Sequence, residues 1–139
     1  MKIKNFLVLA GAAAALTACM SASDTVEPID LNEQRVFFAF NSSDISADAK
    51  ENLKAQAAYL NANPDIKIQI AGNCDERGSA EYNLALGARR ANAAKSVIVS
   101  NGVDASRVST ISYGKERPLV PGNNEDAWRW NRNAATTIK

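Results

Sequence analysis

Isoleucines alternate with polar residues at Ile66, Lys67, Ile68, Gln69 and Ile70, the period of a half-buried strand. Gly72 is expected to end that strand, and a polar loop runs from Asn73 to Gly78. Ser79 has the place and chemistry of a helix N-cap, with Glu81 in the first turn where a negative charge suits the helix dipole. The helix is predicted to run to about Ser100 and to close on Asn101-Gly102. At about 100° per residue, Leu86, Gly87, Ala91, Ala93, Ala94, Val97 and Ile98 share one broad face. Arg89, Asn92 and Ser96 fall on the opposite, wet side.

Asn83 and Arg90 interrupt the apolar face. A charge buried there without a partner costs several kcal/mol, roughly, so Arg90 is expected to have an anionic partner. Side chains on a helix lean toward its N-terminus, so Arg90 leans toward the loop that holds Asp75, with Asn83 between them. The pattern admits two readings. One is an internal salt bridge that fixes the loop. The other is a site for a zwitterion, with Asp75 taking an ammonium and Arg90 a carboxylate.

The remaining pattern places this strand and helix in a larger order. Arg35 to Phe40 reads as a first strand, rich in Val36, Phe37, Phe38 and Phe40, with a turn at Asn41-Ser42-Ser43-Asp44. Phe40 and Asn41, at the end of that strand, are placed to wall the same groove. Ser46 caps a helix carrying Leu53, Ala57 and Leu60, and Asn63-Pro64 ends it. Arg107 to Tyr113 is a third strand stopped by Gly114. Lys115 to Asn123 is a loop with Pro118, Pro121 and Gly122, and its Lys115, Glu116 and Arg117 read as a solvated charge run. Glu125 to Arg132 is a short helix, and Ala134 to Ile138 a last strand. The order β-α-β-α-β-α-β predicts a two-layer α/β sandwich, a mixed four-stranded sheet with helices on one face. Trp128 and Trp130, two apart on a helix, face apart, so one is expected in the core and the other exposed to a partner.

The first residues belong to no fold. Lys2 and Lys4 precede an apolar run from Phe6 to Leu16, a secretory leader too short to span a membrane. It ends in Leu16-Thr17-Ala18-Cys19, which resembles a lipobox, so Cys19 is expected to be the acylated new N-terminus once residues 1–18 are removed. Met20 rather than Asp after the cysteine fits export to the outer membrane. Residues 19–34 are expected to be the acylated cysteine and a polar linker, and residues 35–139 the folded domain.

Composition narrows the chemistry. Of 16 basic residues, Lys2 and Lys4 lie in the leader, so the mature chain sets 14 against 15 acidic residues and carries about −1, no field for a nucleic acid. There is no histidine, which removes the commonest general base and metal ligand, so neither a metal nor another cofactor is expected. Asp75 and Glu76 are adjacent and poorly placed to act on one bond as acid and base, so no catalytic residue and no enzyme is expected. Cys74 reads as a small buried filler rather than a redox thiol.

Gly72-x-x-Asp75-Glu76-Arg77-Gly78, then Glu81-Tyr82-Asn83-Leu84-x-Leu86-Gly87-x-Arg89-Arg90-Ala91, resembles the OmpA C-terminal-like family, in particular its peptidoglycan-associated lipoproteins of the Tol–Pal system. The resemblance continues through VFFAFNSSDI, ISYGKERP and WNRNA, from Val36 to the C-terminus. It implies the same sandwich and non-covalent binding of peptidoglycan through the diaminopimelate of its stem peptide. It also implies docking to TolB and a domain facing the periplasm from a lipid-anchored position in the outer membrane. Asp75 and Arg90 match the family's two charged ligand residues, and Asn83 its motif asparagine. Arg132 keeps the first of a usual arginine pair. The sequence departs from the family at Asn73, usually histidine, and at Asn133, usually the second arginine.

Overall fold

The structure, a computed structural model, describes residues 26–139; the leader, Cys19 and the linker up to residue 25 lie outside the described residues. Four strands form one sheet: β1 (Arg35–Phe37), β2 (Ile68–Asn73), β3 (Val108–Gly114) and β4 (Asn133–Ile138), in the order β1-β4-β2-β3. The last strand lies between β1 and β2, antiparallel to both, and β2 and β3 are parallel. A parallel neighbour requires a crossover, which is supplied by the long helix α2 (Ala80–Ser100). Helix α1 (Ala47–Ala62) joins β1 to β2, and the short helix α3 (Glu125–Asn131) precedes β4. The mixed four-stranded sandwich expected from the pattern is therefore the observed one.

The predicted caps are in place. Ser46 accepts the Ala49 amide at 3.1 Å and Ser79 the Tyr82 amide at 3.0 Å, each satisfying a donor that the first helical turn leaves without a partner. Leu53, Ala57 and Leu60 of α1 and Leu86, Ala91, Ala94 and Ile98 of α2 are buried. All but Leu86 form one core cluster with Val36, Ile68, Ile70, Val108 and Ala134 from one face of the sheet. The alternate residues Arg35, Phe37, Gln69, Ala71, Ala135 and Thr137 are half-buried or exposed on the other face. One polar chain crosses the core: Thr136 Oγ1 donates to Gln56 Oε1, Gln56 Nε2 to Asn52 Oδ1, and Asn52 Nδ2 to Gln34 Oε1, at 2.7, 2.7 and 2.8 Å. Gln56 is thus buried without an unpaired amide.

Three local expectations change. The segment read as linker packs at its end: Leu31, in a 3-10 turn Leu31–Glu33, is fully buried, and Asn32 Oδ1 accepts the Ile138 amide. The first strand stops at Phe37 rather than Phe40, because the chain turns inward through Asn41, whose φ is +57°. That turn aims the Ala39 and Ser42 carbonyls at Arg90.

The third change concerns Gly72, which lies within β2 and does not stop it. A Cβ at Gly72 would collide with the carbonyl of Gly87, and one at Gly87 with Ser112 Oγ and the Gly72 carbonyl. Two glycines thus let the middle of α2 rest directly on the sheet backbone, which brings Arg90 down to the strand ends. Gly72→Ala should destabilise the domain by about 1–3 kcal/mol or more, since backbone rather than a mobile side chain must give way. A urea melt beside the parent checks this, and an unchanged midpoint would contradict the close contact.

Candidate functional site

The C-terminal ends of β1 and β2, the start of β4 and the N-terminal half of α2 meet at one end of the sheet, where the register aligns Phe37, Asn133 and Asn73. A cavity of about 320 Å³ opens there, between the loop after β2 and the first turns of α2. Phe40, Asn41, Asp75, Asn83 and Arg90, singled out from the sequence, all line it. So do Cys74, Arg77, Gly78, Tyr82 and Leu86. Arg132 stands behind the cavity and reaches Asp75 from β4's side.

Arg90 is fully buried, as its place in the apolar stripe implied, but no anion among the described residues pairs with it. Its Nε donates to Ser42 O at 2.8 Å, Nη1 to Asn73 O at 2.9 Å and Nη2 to Ala39 O at 3.1 Å. The expected carboxylate partner is replaced by three backbone carbonyls from two segments. The guanidinium fork holds five donors in fixed directions, which suits converging carbonyls as well as a carboxylate. Arg90 therefore staples the chain after β1 to the end of β2. The other two N–H groups of the fork are not taken up by these carbonyls.

Asp75 is 4% exposed, and its partners are Arg77 and Arg132. Its Oδ1 accepts the Arg77 amide at 3.0 Å and Arg77 Nε at 3.1 Å. Its Oδ2 accepts Arg77 Nη2 at 2.8 Å and Arg132 Nη1 at 3.4 Å. Burial alone would push this carboxyl up, but the Arg77 and Arg132 bonds outweigh it and hold the group below its ordinary value. Arg132 in turn donates to Phe38 O at 2.9 Å and, through both terminal nitrogens, to Glu125 at 2.8 and 3.3 Å. Glu125, outside the residues singled out from the sequence, thus completes a line of alternating charge: Arg77, Asp75, Arg132, Glu125.

Asn83 donates to Arg77 O at 2.7 Å and to Ser79 O at 3.0 Å, so its amide sets the shape of the loop that carries Asp75. Cys74 is buried, its thiol on Asn83 O at 3.2 Å, and burial pushes its pKa up against the pull of Arg90, as suits a filler. Glu76 is exposed and makes no pair with Asp75. Among the described residues no cluster of His, Cys, Asp or Glu could hold a metal ion.

Arg77, which the sequence did not single out, lines the cavity as well, held between two aromatic rings. The Arg77 guanidinium lies 4.0 Å from the Phe40 ring centre and 3.8 Å from that of Trp128, a cation between two aromatic faces. Trp130 faces away, as the helical spacing implied, and meets Phe37 edge-on at 5.4 Å. Neither tryptophan is a core residue: Trp128 is half-buried against Arg77, and Trp130 is 43% exposed. The two departures from the family pattern also meet. Asn73 Nδ2 donates to Asn133 Oδ1 at 2.9 Å, tying β2 to β4 beside Arg132 without adding a charge.

Residues 37–132 match the model of the OmpA family. A peptidoglycan-associated lipoprotein of Haemophilus influenzae is 41% identical over 147 residues, covering 96% of each chain. One of Mesorhizobium japonicum is 52% identical over 104 residues, 75% of this chain and 62% of that one. The crystal structure of the peptidoglycan-associated lipoprotein from Burkholderia pseudomallei superposes with a TM-score of 0.75 at 37% identity, over 77% of this chain and 91% of that one. The C-terminal domain of Helicobacter pylori MotB shares the fold, with a TM-score of 0.71 at 21% identity over 81% of this chain and 85% of that one. With the charged loop and the stapling arginine both in the matched span, this chain belongs to the OmpA family, among its peptidoglycan-associated lipoproteins.

Proposed function

We propose that this protein is an outer-membrane lipoprotein that binds the diaminopimelate of peptidoglycan stem peptides and so ties the membrane to the wall within the Tol–Pal system. The observation that carries this reading is a buried, ionised carboxylate, Asp75, at the wall of a cavity that Arg90 also lines. The free end of diaminopimelate in a stem peptide carries one ammonium and one carboxylate. Asp75 receives the first, and the N–H groups of Arg90 left over by the carbonyls receive the second. Phe40 and Asn41 wall the groove, Asn83 holds the loop, and Arg132 backs Asp75. A single stem peptide is held modestly, and many copies on a polymeric wall hold by avidity.

A second reading, docking of TolB on the same surface, is favoured by exposed apolar side chains beside the cavity: Phe40 at 58%, Tyr82 at 44% and Leu84 at 53%. Sedimentation with purified walls tests both. The full chain should be retained by diaminopimelate walls and far less by lysine walls, and added TolB should release it. Equal retention on both walls would sink the diaminopimelate assignment, and TolB without effect would sink the shared surface.

The anchor is tested separately. Cys19→Ser should leave the chain unacylated and move it out of the membrane fraction, since no helix among the described residues is long and apolar enough to cross a membrane. Unchanged membrane recovery after a high-salt wash would contradict lipidation at Cys19.

A further inference from the structure

A carboxylate offers about four acceptor positions, and those of Asp75 are filled. Arg77 supplies its amide, Nε and Nη2, and Arg132 supplies Nη1. An ammonium entering the cavity meets no vacant lone pair, so one donor must leave. The amide is fixed by the loop. The Arg132 side chain is 8% exposed and held by Phe38 O and Glu125. The Arg77 side chain is 32% exposed and lies under the open ring of Phe40. It alone can move without dismantling the strands.

We infer that Arg77 stands in for the ligand's cation, and that binding is an exchange of ion pairs. The arriving ammonium takes Asp75, and the freed Arg77 guanidinium joins Arg90, which lines the same cavity, on the ligand's carboxylate. Arg77 is then a specificity-determining residue. A ligand with an ammonium alone would strip Arg77 of its carboxylate and return none, a net loss of one charged hydrogen-bonded contact. A ligand with both groups conserves the number of charged pairs. The inference rests on the cavity being the diaminopimelate site, and it adds the reason such a site rejects lysine: the rejection comes from a residue of the protein that must be given a new partner.

The test uses the full chain in detergent and two synthetic tripeptides, L-alanyl-γ-D-glutamyl-meso-diaminopimelate and the same peptide ending in L-lysine. By calorimetry the parent should prefer the first by more than about tenfold, the loss of one charged contact. In Arg77→Met the lysine peptide should gain about fivefold or more. The diaminopimelate peptide should change less than about threefold, bringing the ratio below about threefold. If Arg77 merely staples the loop, both peptides weaken together and the ratio stays as in the parent, which overturns the exchange.

A second measurement covers a variant that melts early. In folded Trp130→Phe protein the fluorescence is that of Trp128, and saturating diaminopimelate peptide should shift it as Arg77 leaves the ring. An unshifted spectrum with the peptide bound overturns the exchange. A parent that binds neither tripeptide overturns the reading of the cavity itself, and the exchange with it.

Discussion

Arg90→Ala should destabilise the domain by at least roughly 3 kcal/mol, since each of the three lost hydrogen bonds to a charged group is worth about 1.5–3 kcal/mol. The side chain has no exposure, and its loss orphans the carbonyls of Ala39, Ser42 and Asn73 while leaving a void under α2. An orphaned buried acceptor costs about 1–3 kcal/mol by itself. With domain stabilities of about 5–15 kcal/mol, the variant should melt more than about 10 °C below the parent. Its wall retention should fall as the cavity deforms. Arg90→Lys should fare little better, because one ammonium cannot span three converging carbonyls in the guanidinium's fixed directions. Arg89→Ala is the control: the side chain is exposed, and its melt should stay within about 0.5 kcal/mol of the parent. Arg90→Ala protein that melts like the parent but no longer binds would make Arg90 a ligand residue without a stapling role.

Asp75→Ala should separate the two effects. Removing one partner of a desolvated charged contact weakens binding by roughly 2–5 kcal/mol, more than tenfold, so wall retention should vanish. The fold should suffer less than in Arg90→Ala, since Arg132 keeps Glu125 and Phe38 O, and Arg77 can turn to water. The same residue gives a pH signature. Its folded pKa lies below the ordinary 3.8, so it contributes stability that is fully present above about pH 4. That contribution is lost as pH falls through the folded value. Titrating the melting temperature downward from pH 5 should show a fall in the parent that is shallower in Asp75→Ala. With no histidine in the chain, wall retention should be flat between about pH 5 and 8. A step in that interval would point to a group other than Asp75.

Much of this architecture is written in local pattern. The alternation around Ile68, the caps at Ser46 and Ser79 and the stripe on α2 follow from periods of two and 3.6 that any neighbour must respect. Burial of Asn83 and Arg90 was legible for the same reason: a polar residue at the centre of an apolar stripe is inside whatever packs there. The partner of Arg90 was not. Periodicity gives the direction of a side chain but says nothing of a distant segment folding back, and the Ala39–Ser42 turn follows β1, with its carbonyls 51 and 48 residues from Arg90 along the chain. Arg77 was hidden because a charged residue between Glu76 and Gly78 reads as solvated loop. Its place depends on Phe40 and Trp128, which only tertiary structure brings together. Gly72 was misread because a glycine that admits a close helix and one that ends a strand look alike in sequence.

The most direct measurement is a crystal structure of the protein with the diaminopimelate tripeptide bound. The free ammonium of the diaminopimelate should lie within about 3 Å of an Asp75 carboxylate oxygen, as a charge-assisted hydrogen bond requires, with its carboxylate on a guanidinium of the same cavity. A tripeptide seated elsewhere, with Asp75 still held by Arg77 and Arg132 and the cavity empty, would contradict the assignment of this site.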